Sequence, residues 1–391
     1  MKIALLTEKY TPDIGGLAIS SERLARLLSS VGHDVRVYAP SPGLTPSEKR
    51  TLPFSGVSLT RFGTSKRVED TLVDWFELIV EEHAREPFDL LHAYFLTSAG
   101  FVATHAGKYL NLPNVVSIRG NDIERAAFDP SRFSHAMYAL QNASAVTTNA
   151  TELARKAKAL VEREIHLIPN GVDTDHFKPI ERKEALVKTL YRIASPVNIS
   201  AAEDGSRSNY VIGFAGELRR KKGLSTLLSA YAQVNKTNPT TLLVVGTIRP
   251  GEDTECFEEF VVSNPNLQVI VTGFISPTDL PNYYALIDVL VHPSLRDGMP
   301  NAVLEAMACE KAVIGTSVGG IKDILEDGKN GVIVNVNDPN MLAQKITELL
   351  DHPEKRGMLG KNARELIAAK FTPKKELEAN LNVYGKLGLK L

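Results

Sequence analysis

A chain of 391 residues, 43% of them apolar, has the composition of a globular protein and is long enough for two domains with separate cores. Its formal net charge of −1 gives no overall attraction for nucleic acid, which is therefore not an expected partner, and leaves any membrane contact to a local patch. Two cysteines, Cys256 and Cys309, without a pairing pattern or a Cys/His cluster argue against a disulfide scaffold and a structural zinc, and they fit a reducing compartment. The first ten residues are too poor in apolar side chains for a signal peptide, and no run approaches the ~20 apolar residues of a membrane span. A cytoplasmic protein is expected, working from the inner membrane surface if it works at a membrane at all.

Residues 2–7 read as a buried strand, followed by a loop that ends in Gly15 and Gly16. Leu24, Leu27, Leu28 and Val31 recur at helical spacing, Gly32 stops the helix, and residues 34–38 resume as a strand. This is a βαβ unit without the three-glycine dinucleotide fingerprint. Gly15 and Gly16 let the backbone pass close to a ligand, although a plain tight turn explains them equally well. Residues 71–83 form an acidic amphipathic helix, and short strands follow at 90–92, 115–118 and 145–148. Such alternation implies a parallel, doubly wound sheet, whose ligands sit at the carboxyl ends of the strands. His92 and the run Arg119-Gly-Asn121-Asp122 fall there and are candidates for substrate contact.

Residues 153–163 carry Arg155, Lys156, Lys158 and Arg163, a candidate peripheral membrane contact for which a solvated helix face is the plainer explanation. A strand and turn at 165–173 lead into a polar segment, 185–209, with little regular pattern towards its end. The expected division sets 1–173 with the tail 373–391 against 174–372. In the second part a strand at 211–215 runs into Gly216-Glu-Leu-Arg-Arg-Lys-Lys-Gly223 and a helix from Leu224. Arg219, Arg220 and Lys222 at a strand-to-helix turn suit a diphosphate. Further strands are expected at 241–245, 268–272, 288–291, 312–315 and 331–334, and helices at 341–350, 356–369 and in the tail.

The strand at 288–291 opens the most informative stretch, His-Pro-Ser-Leu-Arg-Asp-Gly-Met-Pro-Asn-Ala-Val-Leu-Glu-Ala-Met-Ala from His292 to Ala308. Gly298 permits a sharp turn, and Pro300 suits a first helical position. A helix start leaves the N–H groups at Met299, Asn301 and Ala302 without intrahelical acceptors, a ready site for phosphate. Asp297 and Glu305 flank it, and carboxylates accept from sugar hydroxyls. The pair suggests a sugar attached to a phosphate. The plain alternative is a dipole-complementing Asp297 and a solvated Glu305.

Together with Ile-Pro-Asn-Gly-Val-Asp at 168–173 and the loop ending in Lys222-Gly223, these motifs resemble the retaining glycosyltransferases of family 4 almost end to end. The acid, seven residues, acid spacing of Asp297 and Glu305 carries most of the likeness. The resemblance implies an α/β protein of GT-B fold, two Rossmann-like domains facing across a cleft, the first for the acceptor and the second for a nucleotide-diphosphate sugar. It implies ribose on Glu305, the donor sugar on Asp297, Gly298 and Met299, and the diphosphate on Asn301, Ala302, Lys222 and Arg219 or Arg220. Gly15, Gly16 and Gly216 border the donor, and the base lies along Phe274 and Ile275. His92, Asn121 and Asp122 fall to the acceptor side.

Transfer with retained configuration, no metal and no cofactor is also implied, with UDP-glucose as the preferred donor and a saccharide or lipid-linked saccharide as acceptor. Three positions depart from the pattern. Asp297 replaces a commoner Glu, Glu217 stands where an Arg is frequent, so that Arg219 takes its role, and Arg119 replaces a His near donor and acceptor, which leaves Arg119 and Asp122 to shape the acceptor side. A nucleotide-sugar epimerase and an idle sugar-nucleotide sensor are the alternative readings. The sequence carries no signal for an oligomeric state.

Overall fold

The computed structural model describes residues 1–194 and 210–390, apart from the side chains of Asn121 and of residues 191–194. The chain divides into two compact units, Met1–Gly171 with Pro373–Leu391, and Val172–Thr372. The expected division falls two residues later than the first of these borders.

The first unit is built on eight strands: β1 (Lys2–Leu6), β2 (Asp34–Ser41), β3 (Lys49–Phe54), β4 (Val57–Gly63), β5 (Leu90–Ala93), β6 (Asn114–Ile118), β7 (Ala145–Thr148) and β8 (His166–Leu167). Their order is β3-β4-β2-β1-β5-β6-β7-β8. Only β3 runs antiparallel, in a hairpin with β4. Strands β5 and β6 are buried along their whole length, and β1 along all but its first residue, because helices cover both faces of a parallel sheet. One face packs Trp75, Ile79, Val102, Ala103 and Leu140 from the helices Val68–Arg85, Ser98–Leu110 and Pro130–Asn142. The other packs Leu24 and Leu28 of the helix Gly16–Ser30 with Leu377, Val383 and Tyr384 of the tail helix Pro373–Lys386.

The second unit holds β9 (Tyr210–Ala215), β10 (Thr240–Val245), β11 (Gln268–Val271), β12 (Val289–His292), β13 (Ala312–Thr316) and β14 (Val332–Val334). They are all parallel, in the order β11-β10-β9-β12-β13-β14. This is the doubly wound order with its switch point between β9 and β12, where ligands of open α/β sheets bind. The basic loop leaves β9 and the acidic signature leaves β12, so chain topology alone brings the two motifs together. The polar segment after Phe177 contains the helix Glu184–Ala194, whose Val187 and Leu190 are buried. The rest of that segment, 195–209, lies outside the described residues. The cationic helix is shorter than its sequence suggests, Thr151–Lys158.

Candidate functional site

In the second unit the loop after β9 and the loop after β12 are stitched together by their backbones. The Leu295 N–H donates to the Lys221 carbonyl at 2.9 Å. Gly223 has φ +82°, and a Cβ there would lie 2.1 Å from the Pro293 carbonyl oxygen, so only glycine permits this approach. Lys222 is thereby delivered to Asp297, and the two form an ion pair. The same carboxylate oxygen accepts from His292 Nε2 at 2.9 Å and from Ser294 Oγ at 3.4 Å, while the other accepts from the Gly298 N–H at 3.0 Å. Burial would raise the Asp297 pKa, but the charge of Lys222 and the bonds from His292 and Lys222 prevail and hold it well below the carboxylate range. His292 shifts downward because it is buried, although Asp297 pulls it up. Asp297 is thus ionised and can only accept, so the neutral imidazole carries its proton on Nε2.

A third loop closes the cluster from β13. Gly320 N–H donates to the Gly298 carbonyl at 2.6 Å, and Thr316 Oγ1 donates to the Ser294 carbonyl. A Cβ on Gly319, which has φ +49°, would lie 1.7 Å from the Asp297 carbonyl oxygen. The expected helix begins one residue later than the sequence suggested: Pro300 is the N-cap of Asn301–Ala308, at φ −76° and ψ 118°. Its carbonyl accepts from the N–H groups of Val303 and Leu304. Met299 is buried at this entry, and Asn301 and Ala302 form the first helical turn. Glu305 is buried rather than solvated, and Tyr284 Oη donates to its Oε2 at 2.7 Å. Burial, with Glu305 alongside, pushes the Tyr284 pKa up and keeps the phenol protonated for that bond.

The basic loop divides its arginines. Arg219 is largely covered, with Nη1 3.1 Å from Glu217 and its Nε buried without a protein acceptor. Arg220 departs from the expected diphosphate contact. Its side chain is 69% exposed and faces Glu252 at 3.6 Å, while its N–H donates to Asp253, both at the acidic start of the helix Glu252–Ser263. Gly216 has φ +115°, and its carbonyl oxygen lies 2.1 Å from where a Cβ on Gly246 would stand, so the turns after β9 and β10 touch backbone to backbone. Gly246 in turn accepts from the Gly273 N–H at 2.9 Å, just before Phe274 and Ile275. Phe274 is exposed, and Ile275 packs on the core behind the loop.

In the first unit Gly15 has φ +135° and caps the helix that Gly16 begins, and a Cβ on either residue would meet nothing within 4 Å. His92 corrects the expectation of a substrate contact. It is fully buried, with Nδ1 bonded to Tyr384 Oη at 2.7 Å and Nε2 to Ser117 Oγ at 2.8 Å. Burial, and then the charge of Arg119, hold its pKa down at about 3. It is a neutral interior residue that fastens the tail helix to the sheet.

Asp122 is likewise buried, and its carboxylate accepts from the N–H groups of Leu96, Arg119, Gly120 and Ile123 at 3.0 to 3.2 Å. That makes it the organiser of the β6 loop rather than a direct contact. Arg119 lies with its guanidinium 3.8 Å from the centroid of the Tyr94 ring and donates from Nη1 to Asn170 Oδ1 at 3.2 Å. Asn121 begins the next helix, and its side chain lies outside the description.

Sequence reasoning missed His292, Tyr284 and the Gly319–Gly320 pair. For His292 a signal existed, a polar side chain ending a buried strand five residues before an acid. Among the described residues no group of three or more His, Cys, Asp or Glu could hold a metal ion. No helix among them is long and apolar enough to cross a membrane. Of the cationic helix, Lys156 is paired with Glu124 and Glu152, and beyond its end Arg163 donates to the Leu140 and Ser144 carbonyls.

Two family models match the chain: Glycosyltransferase Family 4 over residues 14–176, and Glycosyl transferases group 1 over residues 199–366. An uncharacterized glycosyltransferase of Methanocaldococcus jannaschii is 25% identical over 99% of both chains. A GDP-mannose-dependent alpha-mannosyltransferase of Corynebacterium glutamicum is 26% identical over 86% of this chain and 78% of its own length. Among solved structures, Anabaena HepE in complex with UDP-glucose superposes with a TM-score of 0.78 at 19% identity, covering 99% of this chain and 100% of that one. The chain belongs to the family 4 glycosyltransferases, and its fold is GT-B.

Proposed function

We propose that the protein transfers a hexose, with glucose from UDP-glucose as the preferred reading, to a saccharide or lipid-linked saccharide, with retained configuration and without a metal. The observation that carries the donor assignment is the placing of two acids, the partly buried Asp297 and the buried Glu305, before and after the start of the helix Asn301–Ala308, with Lys222 held on Asp297. Carboxylates accept from hydroxyls, so Glu305 suits a ribose and Asp297 the transferred sugar. The helix start, Lys222 and Arg219 offer the diphosphate the positive potential that a metal supplies elsewhere, and this stabilises its charge as the glycosidic bond breaks. The departing phosphate oxygen then takes the acceptor's proton on the face it leaves, which retains the configuration.

Binding of the donor requires an exchange at Asp297. Lys222 turns from the carboxylate to the diphosphate, and the freed oxygens of Asp297 accept from sugar hydroxyls. Affinity for UDP-glucose is supported by the fold shared with the HepE complex, and the mannosyltransferase relative makes a GDP-sugar the competing donor.

A thermal-shift panel of UDP-, GDP- and ADP-sugars tests the assignment, since a ligand at 100 times its Kd stabilises the folded state by about 2.7 kcal/mol. UDP-hexoses are expected to raise the melting temperature most. Stabilisation by GDP-mannose alone would overturn the base assignment, and silence across the panel would overturn the site. Turnover of the preferred donor, abolished in Glu305→Ala, excludes an idle sensor. The anomeric configuration of the product, read by NMR, tests retention.

A further inference from the structure

Arg119 is a partly buried cation that no described carboxylate pairs with. Charges removed from water are ordinarily paired. Nη1 is anchored on Asn170, and the plane lies against Tyr94. The opposite edge, Nε and Nη2, is buried and has no protein acceptor. That edge is the fork that matches a carboxylate or phosphate with two parallel hydrogen bonds.

The acids at this end of the sheet are committed elsewhere. Asp122 is occupied by four backbone N–H groups, one of them that of Arg119 itself. Glu376 holds Arg23 and the Gly171 N–H, and Glu8 holds Thr97 and the Ser98 N–H. The remaining neighbour, His92, is kept neutral. Among the described residues no carboxylate pairs with Arg119.

Its setting is also prearranged. Asn149 Nδ2 donates to Asn170 Oδ1 at 3.3 Å, fixing the oxygen that receives Arg119, and the Asn149 Oδ1 is itself buried without a donor. Tyr94, Arg119 and Asn149 follow β5, β6 and β7, and Asn170 lies just beyond β8, so the group stands at the carboxyl edge of the parallel sheet. An unfilled guanidinium fork at the edge where open α/β sheets bind ligands describes an anionic group on the bound molecule.

Resting on the transferase reading above, the geometry points to an acceptor that bears a carboxylate or phosphate beside its hydroxyls, gripped by the Nε and Nη2 edge of Arg119. The test titrates glucose 6-phosphate, glucuronate and glucose into the full-length protein saturated with UDP, so that the donor phosphate site is filled. Both anions are expected to bind at least about tenfold more tightly than glucose, the scale of one charge-assisted bidentate pair. The better of the two identifies the anion as phosphate or carboxylate. Arg119→Gln should erase the preference while leaving UDP affinity unchanged, and Arg119→Lys, which keeps the charge but loses the fork, should fall between them.

Equal binding of glucose, a preference that survives Arg119→Gln, or a loss of UDP affinity in that variant would each overturn the proposal, the last by assigning the guanidinium to the donor. Thermal melts of both variants separate lost recognition from lost folding. Failure of UDP itself to bind counts against the donor reading alone, and the same titrations without UDP then decide this one.

Discussion

The two sheets end in opposite electrostatic situations. In the second unit the acid Asp297 is saturated: Lys222, His292, Ser294 and the Gly298 N–H all point at it. In the first unit the cation Arg119 holds a neutral amide and an aromatic face, with the donors on Nε and Nη2 unused. A saturated site can bind only by exchange, giving up an internal partner for each ligand group. An unsaturated one gains its missing partner from the ligand. Donor affinity should therefore be strongly coupled to the Lys222–Asp297 pair, and acceptor affinity to charge.

The sharpest way to break the comparison is to empty the saturated site. Asp297→Asn keeps the shape but strands Lys222 next to a neutral amide, and removing one partner of a buried pair costs about 3–5 kcal/mol. Lys222 is 19% exposed and can turn partly towards water, so the low end of that range is expected. Urea titration should show the loss, and sugar transfer should vanish with it. If stability were unchanged, Asp297 would not be the anchor of the cluster. Arg119→Gln, in contrast, removes a partly buried charge that no carboxylate pairs with and should leave stability level or slightly higher.

A smaller effect follows from displacing the saturated site without changing its chemistry. Gly319→Ala places a Cβ against the Asp297 carbonyl at a positive φ, a backbone strain of about 1–3 kcal/mol. The carboxylate then shifts off Lys222 and His292, so donor affinity should fall with every charged side chain still in place. Unchanged donor binding in calorimetry would show that the loop after β13 does not hold Asp297 in register.

Acid sharpens the contrast further. His92 has a pKa of about 3 in the folded protein, against an ordinary value near 6.5 in the unfolded chain. Below pH ~6.5 the unfolded chain takes up a proton that the fold refuses, so stability falls with pH by about 1.4 kcal/mol per pH unit from this residue alone. That loss continues until pH reaches the folded value. Asp297 behaves differently: its folded pKa is depressed, so its contribution persists through mild acid and goes only as pH falls below the carboxylate range. In His92→Gln, denaturation midpoints between pH 6.5 and 4 should decline less steeply than in the wild type, with a lower starting value at pH 7. Equal slopes would show that His92 is not held neutral.

What the sequence made legible were the features with local signatures. The βα alternation, the turn glycines and the spacing of Asp297 and Glu305 each follow from periodicity or from a short motif, and the doubly wound sheets follow from them. The hairpin Lys49–Phe54 and Val57–Gly63 escaped notice because β3 is exposed along nearly its whole length and shows no alternation. The site's supporting contacts were hidden for a different reason: they join residues far apart in the chain. Tyr384 reaches His92 from the tail, Tyr284 reaches Glu305 from another helix, and Gly319 fits Asp297 only once β12 and β13 are neighbours. His92 read as a ligand contact because its place after a strand was visible and its two hydrogen-bond partners were not.

The smallest effects separate the two arginines of the basic loop, where sequence offered no choice between them. Arg220 pairs with Glu252 in an exposed setting, and such pairs contribute about 0–1 kcal/mol. Arg220→Ala should therefore leave both stability and donor affinity nearly unchanged. Arg219 stands in the same loop as Lys222 with a buried, unused Nε, so the diphosphate offers it a partner that Glu217 does not fill. Arg219→Ala should weaken UDP-sugar binding about tenfold, the scale of one charge-assisted hydrogen bond, while the melting temperature of the ligand-free protein barely moves. The reverse ranking in calorimetry would mean that Arg220 abandons Glu252 when donor arrives, and that the second unit completes its site by exchange at two positions instead of one.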